Sequence, residues 1–288
     1  MPHILIADCV RAAHQRPFDE IGARGNVALF TEALRHHDAA VECSGVNLAD
    51  GEALPAGTGL VDFDGVILTG SPLHVGDASP EVLHQLAFAR AAFATAIPVW
   101  GSCWGLQLAA AALGGKVRHS PAGREIGVAR AITINAAGRE HPLLAGRAAV
   151  FDALCSHLDE VETPPPGAVV LASNAISTVQ AMVAPTPGGG VFWGTQYHPE
   201  MDLTVVAALL ELRAEPITRE GFAESRAALL AYAADCRALD AAPGRRDLAW
   251  RTGIGPDITD PLRRTRELGN WLRHIVLPYR AGRGNRSR

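Results

Sequence analysis

The sequence predicts an α/β fold: a mostly parallel open sheet flanked by helices, with an antiparallel extension and a helical C-terminal appendage. Three observations carry it. Short apolar, β-branched runs alternate with longer segments of helical period. HILIAD (3–8) reads as a buried first strand. IPVWGSC (97–103) passes through a glycine-flanked turn into the alanine-rich WGLQLAAAALG (104–114), giving strand, turn and helix in one stretch.

Taken in order, NVALFTEALRHH (26–37) reads as an amphipathic helix and VECSGVN (41–47) as the second strand. DGVILTG (64–70) is a strand ending in glycine, and 80–96 a helix that opens on Pro80, whose fixed φ suits a first turn. From 116 to 200 the pattern turns to strands separated by turn residues: KVRHS, IGVARAITIN, AVFDALCSH, AVVLASN, STVQAMV and VFWGTQYHP. A helix over 203–215 closes the main domain, expected to span 1–215, with Pro216 as a breaker. Residues 216–280 are expected to form a helical extension, with helices over 221–240 and 260–280, and 281–288 a disordered tail. The extension's arginines read as a solvated face with interhelical ion pairs.

The 288 residues are 48% hydrophobic and 19% charged, with a formal net charge of -4, which suits one sizeable core and disfavours nucleic-acid binding by bulk charge. No apolar run approaches the roughly 20 residues that span a bilayer, and MPHILIADC lacks a basic leader, so a cytoplasmic protein without membrane partners is expected. The five cysteines, Cys9, Cys43, Cys103, Cys155 and Cys236, are scattered and lack CxxC spacing. Neither a disulfide framework nor a metal site is predicted, and no cofactor.

The chemistry is concentrated at GSCWGLQ (101–107). Strand, Gly-x-Cys-x-Gly and helix have the layout of a nucleophile elbow, with cysteine at its tip. Gly101 and Gly105 stand where a β-carbon would crowd a strand that reverses directly into a helix, and unpaired N–H groups at the helix start favour a thiolate. A cysteine nucleophile needs a base and a group that orients it. GTQYHPE (194–200), at the end of the last predicted strand, offers His198 as base and Glu200 as orienter, with Pro199 stiffening the bend between them.

Four segments in order, LTGSP (68–72), GSCWGLQ (101–107), SHLDEV (156–161) and QYHPE (196–200), resemble the class I glutamine amidotransferases over about residues 3–212. The resemblance implies a flavodoxin-like glutaminase fold in which Cys103 attacks the side-chain amide of glutamine, His198 moves protons and Glu200 holds the imidazole. It also implies an oxyanion hole from the backbone of Trp104 and of Gly70 or Ser71, and contacts to glutamine from Gln107, Ser156 and His157. Since Trp104 acts through its backbone, its bulky indole bears instead on the shape of the glutamine pocket. Each secondary assignment has a plainer rival: Gly70 as a strand-terminating glycine, Ser71 as a turn cap, 156–159 as a polar turn.

The residues after Pro216 are too few for a nucleotide-using synthetase, and no GxxxxGK[ST] loop occurs. Three readings therefore stand open: a glutaminase subunit serving a separate synthetase, a free-standing hydrolase of glutamine or another γ-glutamyl compound, and a non-catalytic glutamine-binding module. A stripe of Leu262, Leu268, Trp271, Leu272 and Ile275 is expected to dock on the main domain or to build a homo-oligomer.

Overall fold

A computed structural model describes residues 1–286 of the chain. Its strands are β1 His3–Asp8, β2 Glu42–Asn47, β3 Gly65–Leu68, β4 Val99–Ser102, β5 Lys116–His119, β6 Glu125–Ile134, β7 Val150–His157, β8 Asp159–Thr163, β9 Val169–Ser173, β10 Ala181–Pro185 and β11 Val191–Thr195. The helices are α1 Ala12–Glu20, α2 Asn26–Arg35, α3 Pro80–Phe93, α4 Trp104–Ala112, α5 Ala136–Glu140, α6 Leu203–Leu212, α7 Ala214–Arg219, α8 Arg226–Ala241, α9 Arg246–Thr252, α10 Pro256–Thr259, α11 Pro261–Arg264, α12 Arg266–Trp271 and α13 Leu277–Arg286. A π turn over Leu272–Val276 joins α12 to α13.

Among the described residues nine strands form one sheet in the order β2-β1-β3-β4-β11-β10-β9-β6-β7, while β5 and β8 pair apart. The strands from β2 to β11 are parallel, and those beyond β11 antiparallel, as the pattern after 116 predicted. The two-residue period of β1 sorts its side chains: Ile4 and Ile6 face one core with Phe30 and Leu34 of α2, and Leu5 and Ala7 face the other with α3 and α4. A third core joins α6 to α8 and α9 through Leu209, Leu229, Ala233 and Leu248.

The C-terminal stripe lands on the protein's own sheet. Leu268, Trp271 and Leu272 are buried in the first core, Ile275 packs against it, and Trp271 meets Trp100 of β4 edge-on at 6.2 Å. Leu262, the fifth member, is instead exposed. Behind Trp271 lies a buried ionic contact. Arg147 grips Glu267 with Nε and Nη2 at 2.7 and 2.8 Å, and the Tyr197 hydroxyl donates to the same carboxylate at 2.7 Å.

Several expectations are corrected. Pro216 does not break the chain: it sits in the first turn of α7, where its missing N–H has no helical partner to lose. The helix expected over 203–215 stops at Leu212 because Arg213 leaves helical geometry at φ -111° and ψ 22°. STVQAMV becomes a strand only from Ala181, since Asn174 Oδ1 accepts from Ile176 and Ser177 N–H and holds a turn there. The helix expected over 260–280 is broken into α11, α12 and α13. The tail expected from 281 is helical to Arg286, while 287–288 lie outside the described residues.

Glu267 is fully buried, so truncating it strands the Arg147 charge in the core. Glu267→Ala is expected to cost about 3–5 kcal/mol of unfolding free energy in urea titration. A loss below about 1 kcal/mol would show the ion pair to be dispensable.

Candidate active site

Three strand ends converge at one edge of the sheet. Parallel register sets Leu68 opposite Gly101 and Thr195 opposite Ser102, so the chain leaves β3, β4 and β11 side by side. This is the carboxyl edge at which open α/β sheets place ligands. Cys103 follows β4 at once, with φ 51° and ψ -102°, and its N–H donates to Thr195 O at 2.8 Å. A side chain at positive φ is strained, and the sharp reversal needs the glycines around it: a β-carbon on Gly101 would lie 2.5 Å from the carbonyl carbon of Gly105. The sulfur turns toward the Ser156 carbonyl, 3.6 Å away.

His198 is brought to the same place by the segment after β11, anchored by its N–H to Leu154 O at 2.8 Å. Its Nδ1 donates to Glu200 Oε1 at 2.6 Å, and the Cys103 side chain lies close enough to act on the ring electrostatically. Glu200 is held from its other oxygen as well, because Ser102 Oγ donates to Oε2 at 2.9 Å and itself accepts from Trp100 Nε1 at 3.0 Å. Burial alone would push the imidazole's pKa down. Glu200 and the Cys103 sulfur together outweigh it and raise the His198 pKa to about 10. Burial pushes the thiols of Cys9 and Cys236 up to about 12 and that of Cys155 well above its usual range, so these three are poor nucleophiles.

Cys103 and His198 line an open cavity of about 710 Å³, and Glu200 is joined to it through the His198 ring. Gly70, Ser71, Gln107, Ser156 and His157 all line it. Gly70 packs so closely that a β-carbon there would sit 2.7 Å from His198 Cε1. Ser71 Oγ accepts from Leu73 N–H at 3.3 Å, the local turn bond its plainer reading foresaw. As the first residue of α4, Trp104 has an N–H without a helical partner. Its indole corrects the sequence reading: it is buried in the second core, donating to Gln85 Oε1 at 2.7 Å, and takes no part in the cavity wall.

Gln107 spends both amide protons on protein, to Asp159 O at 2.9 Å and Gln196 Oε1 at 3.2 Å. His157 is fixed between Glu125 Oε2 at 2.8 Å and Asp159 O at 3.0 Å. Asp159 carries more still, for its carboxylate accepts from Nδ1 of both His74 and His119, whose rings stack 4.2 Å apart. Those three are the group among the described residues that could hold a metal ion, with ligand atoms within 4.8 Å of one another. Ser102, Asp159, His74, His119 and the arginines of the wall were not foreseen. Ser102 stood inside the quoted motif without an assigned role.

Among the described residues no helix is long and apolar enough to cross a membrane. Residues 24–213 match the family model described as Glutamine amidotransferase class-I. Over 221 residues the chain is 35% identical to a gamma-glutamyl-L-1-hydroxyisopropylamide hydrolase of Pseudomonas sp, covering 75% of this chain and 74% of that protein. It is 34% identical over 146 residues to a glutamine-hydrolyzing GMP synthase subunit of Methanoculleus marisnigri, covering 51% of this chain and 70% of that one. A crystal structure of a glutamine amido transferase from Methylobacillus flagellatus shares the fold, with TM-score 0.66, 23% identity and 95% of each chain covered.

Two substitutions test the geometry. In Glu200→Gln the burial of His198 persists without its main opposing charge, so NMR titration of the ring should find its pKa well below the wild-type value of about 10. A raised histidine pKa stabilises fully below the unfolded value near 6.5 and is lost as pH rises through about 10, so this contribution to wild type's stability advantage should shrink across that window. An unshifted ring would overturn the assignment. Gly70→Ala pushes into His198 and should lower turnover by roughly 10- to 100-fold, with a melting temperature near that of wild type.

Proposed function

The chain belongs to the class I glutamine amidotransferase family, and on that premise we propose that it splits the side-chain amide of a γ-glutamyl substrate through a thioester on Cys103. Cys103 gives its proton to His198 and attacks the γ-carbonyl carbon. Charge gathers on the carbonyl oxygen, where the N–H groups of Trp104 and of Gly70 or Ser71 receive it. The C–N bond breaks as His198 passes its proton to the leaving nitrogen. Water, deprotonated by His198, then cleaves the thioester, releasing glutamate and restoring the sulfur. Glu200 keeps the ring oriented and stabilises it when charged.

The observation that carries this reading is the arrangement of Cys103, His198 and Glu200 in series, with Cys103 and His198 lining the cavity and the cysteine on a strained turn between strand and helix. Gln107 supports the glutamyl end. With both amide protons engaged it presents its oxygen, an acceptor suited to the substrate's α-ammonium. Ser156 and His157 border the same end.

In the first reading glutamine is the substrate, and ammonia passes to an acceptor on a separate synthetase in the cytoplasm. The similarity to the Methanoculleus GMP synthase subunit supports it. A second reading, a free-standing hydrolase of larger γ-glutamyl amides, has an observation of its own. The cavity of about 710 Å³ is of the size that houses drug-sized ligands, and a free amino acid leaves much of it empty. The Pseudomonas hydrolase, matched over 74% of its length, has a name of that kind. A homo-oligomer through the C-terminal helices would use their outer faces, where Trp250 and Leu262 are exposed.

Cys103→Ala should reduce release of ammonia or amine by roughly 10⁴-fold or more, and quenched wild type should carry a glutamyl adduct on the Cys103 peptide by mass spectrometry. A mutant as active as wild type refutes the mechanism. Glutamine turnover that rises when a synthetase is added favours the first reading; vigorous release of a larger amine by the isolated protein favours the second.

A further inference from the structure

Three arginines line the cavity, Arg24, Arg124 and Arg213. Arg24 is paired with Glu32 and Asp202, and Arg124 with Glu220 through two contacts of 2.7 and 3.1 Å. Arg213 has no hydrogen-bond acceptor or carboxylate partner among the described residues, although it is only partly exposed. A cation held in a half-apolar wall beside a second cation has no carboxylate to compensate it, and the Cys103 sulfur is the one opposite influence on it. Burial lowers its pKa, and repulsion from Arg124 adds to the effect.

Its position gives the missing anion a place. Val205 and Leu209 of α6 and Arg213, the residue that ends it, are spaced four apart, and all three line the cavity. Four-residue spacing stacks side chains on one helix face, so they form a strip about 12 Å long. Met201, three residues after His198, lines the same cavity, as do Ile217 and Phe18. Gln107, Ser156 and His157, assigned above to the glutamyl end, come from α4 and β7, whereas this strip comes from the helix that follows His198 in the chain, the residue that must protonate the leaving nitrogen.

We infer that the α6 wall is a subsite for the leaving amine, and that it selects amines carrying a carboxylate at the far end of an apolar chain, with Val205 and Leu209 covering the chain and Arg213 receiving the carboxylate. The inference rests on the second reading above and extends it to a substrate class. Bond making and breaking are unchanged: the C–N bond breaks, the amine takes the His198 proton and departs as an ω-amino carboxylate, and water releases glutamate.

The test compares γ-glutamyl-6-aminohexanoate with its terminal carboxamide, γ-glutamyl-6-aminohexanamide, by kcat/KM for amine release. Wild type should prefer the carboxylate by roughly 10- to 100-fold, the range for one hydrogen-bonded charge, and Arg213→Met should bring that ratio close to one, with partial recovery in Arg213→Lys. Equal rates on both compounds in wild type, or a ratio unaltered in Arg213→Met, overturn the inference while leaving γ-glutamyl hydrolysis standing. Wild type that cleaves neither compound nor glutamine overturns the underlying reading instead. Should Arg213→Met fold poorly, inhibition of wild type decides: 6-aminohexanoate must inhibit more strongly than 6-aminohexanamide, and equal inhibition defeats the subsite.

Discussion

A carboxylate with only 3% of its surface exposed must find donors and charge inside the protein, and Glu200 finds them on both oxygens. His198 supplies one donor and Ser102 the other, with the Trp100 indole behind Ser102. The arrangement fixes more than the imidazole. Ser102 immediately precedes Cys103, so the carboxylate that holds the His198 ring also binds the strand end that presents the sulfur. The requirement to satisfy one buried charge therefore ties β4 and the segment after β11 into a single rigid unit, on which the geometry of the cavity floor depends.

The same segment is braced from the other side. Tyr197, next to His198, donates to Glu267, which is clamped by Arg147, and all three side chains are buried. The helices after 260 are thus part of the frame that locates His198, and their apolar stripe completes one face of the sheet. A family match that ends at residue 213 understates how far the site's mechanical support extends.

What the sequence made legible was local. The order of strands and helices, the glycine-flanked cysteine and the His-Pro-Glu bend all follow from runs of a few residues, and in the structure Cys103 and His198 line one cavity with Glu200 bonded to the ring. Elements without an apolar period were illegible. α1 has no buried residue and contains Pro17, and β8 reads DEVET, its first two buried residues being acids. Long-range partners were hidden for a different reason: the Ser102–Glu200 and Arg147–Glu267 contacts join residues 98 and 120 apart, and no local pattern announces them. Trp104 was misplaced because a helix start offers two directions, and only packing shows that its indole turns into the core.

The two sides of the cavity are built on opposite principles. Around Gln107 and His157 the amide protons and ring nitrogens are committed to Asp159, Glu125 or Gln196, so that side has fixed dipoles and little freedom to adapt. Preorganised groups of this kind recognise one constant moiety, as a shared glutamyl group demands. Along α6 the wall is apolar and ends in an uncommitted guanidinium, a surface whose fit is set by area and one charge. A reaction that keeps the acyl part constant while the amine varies is served by this division, and Cys103 and His198 line the same cavity.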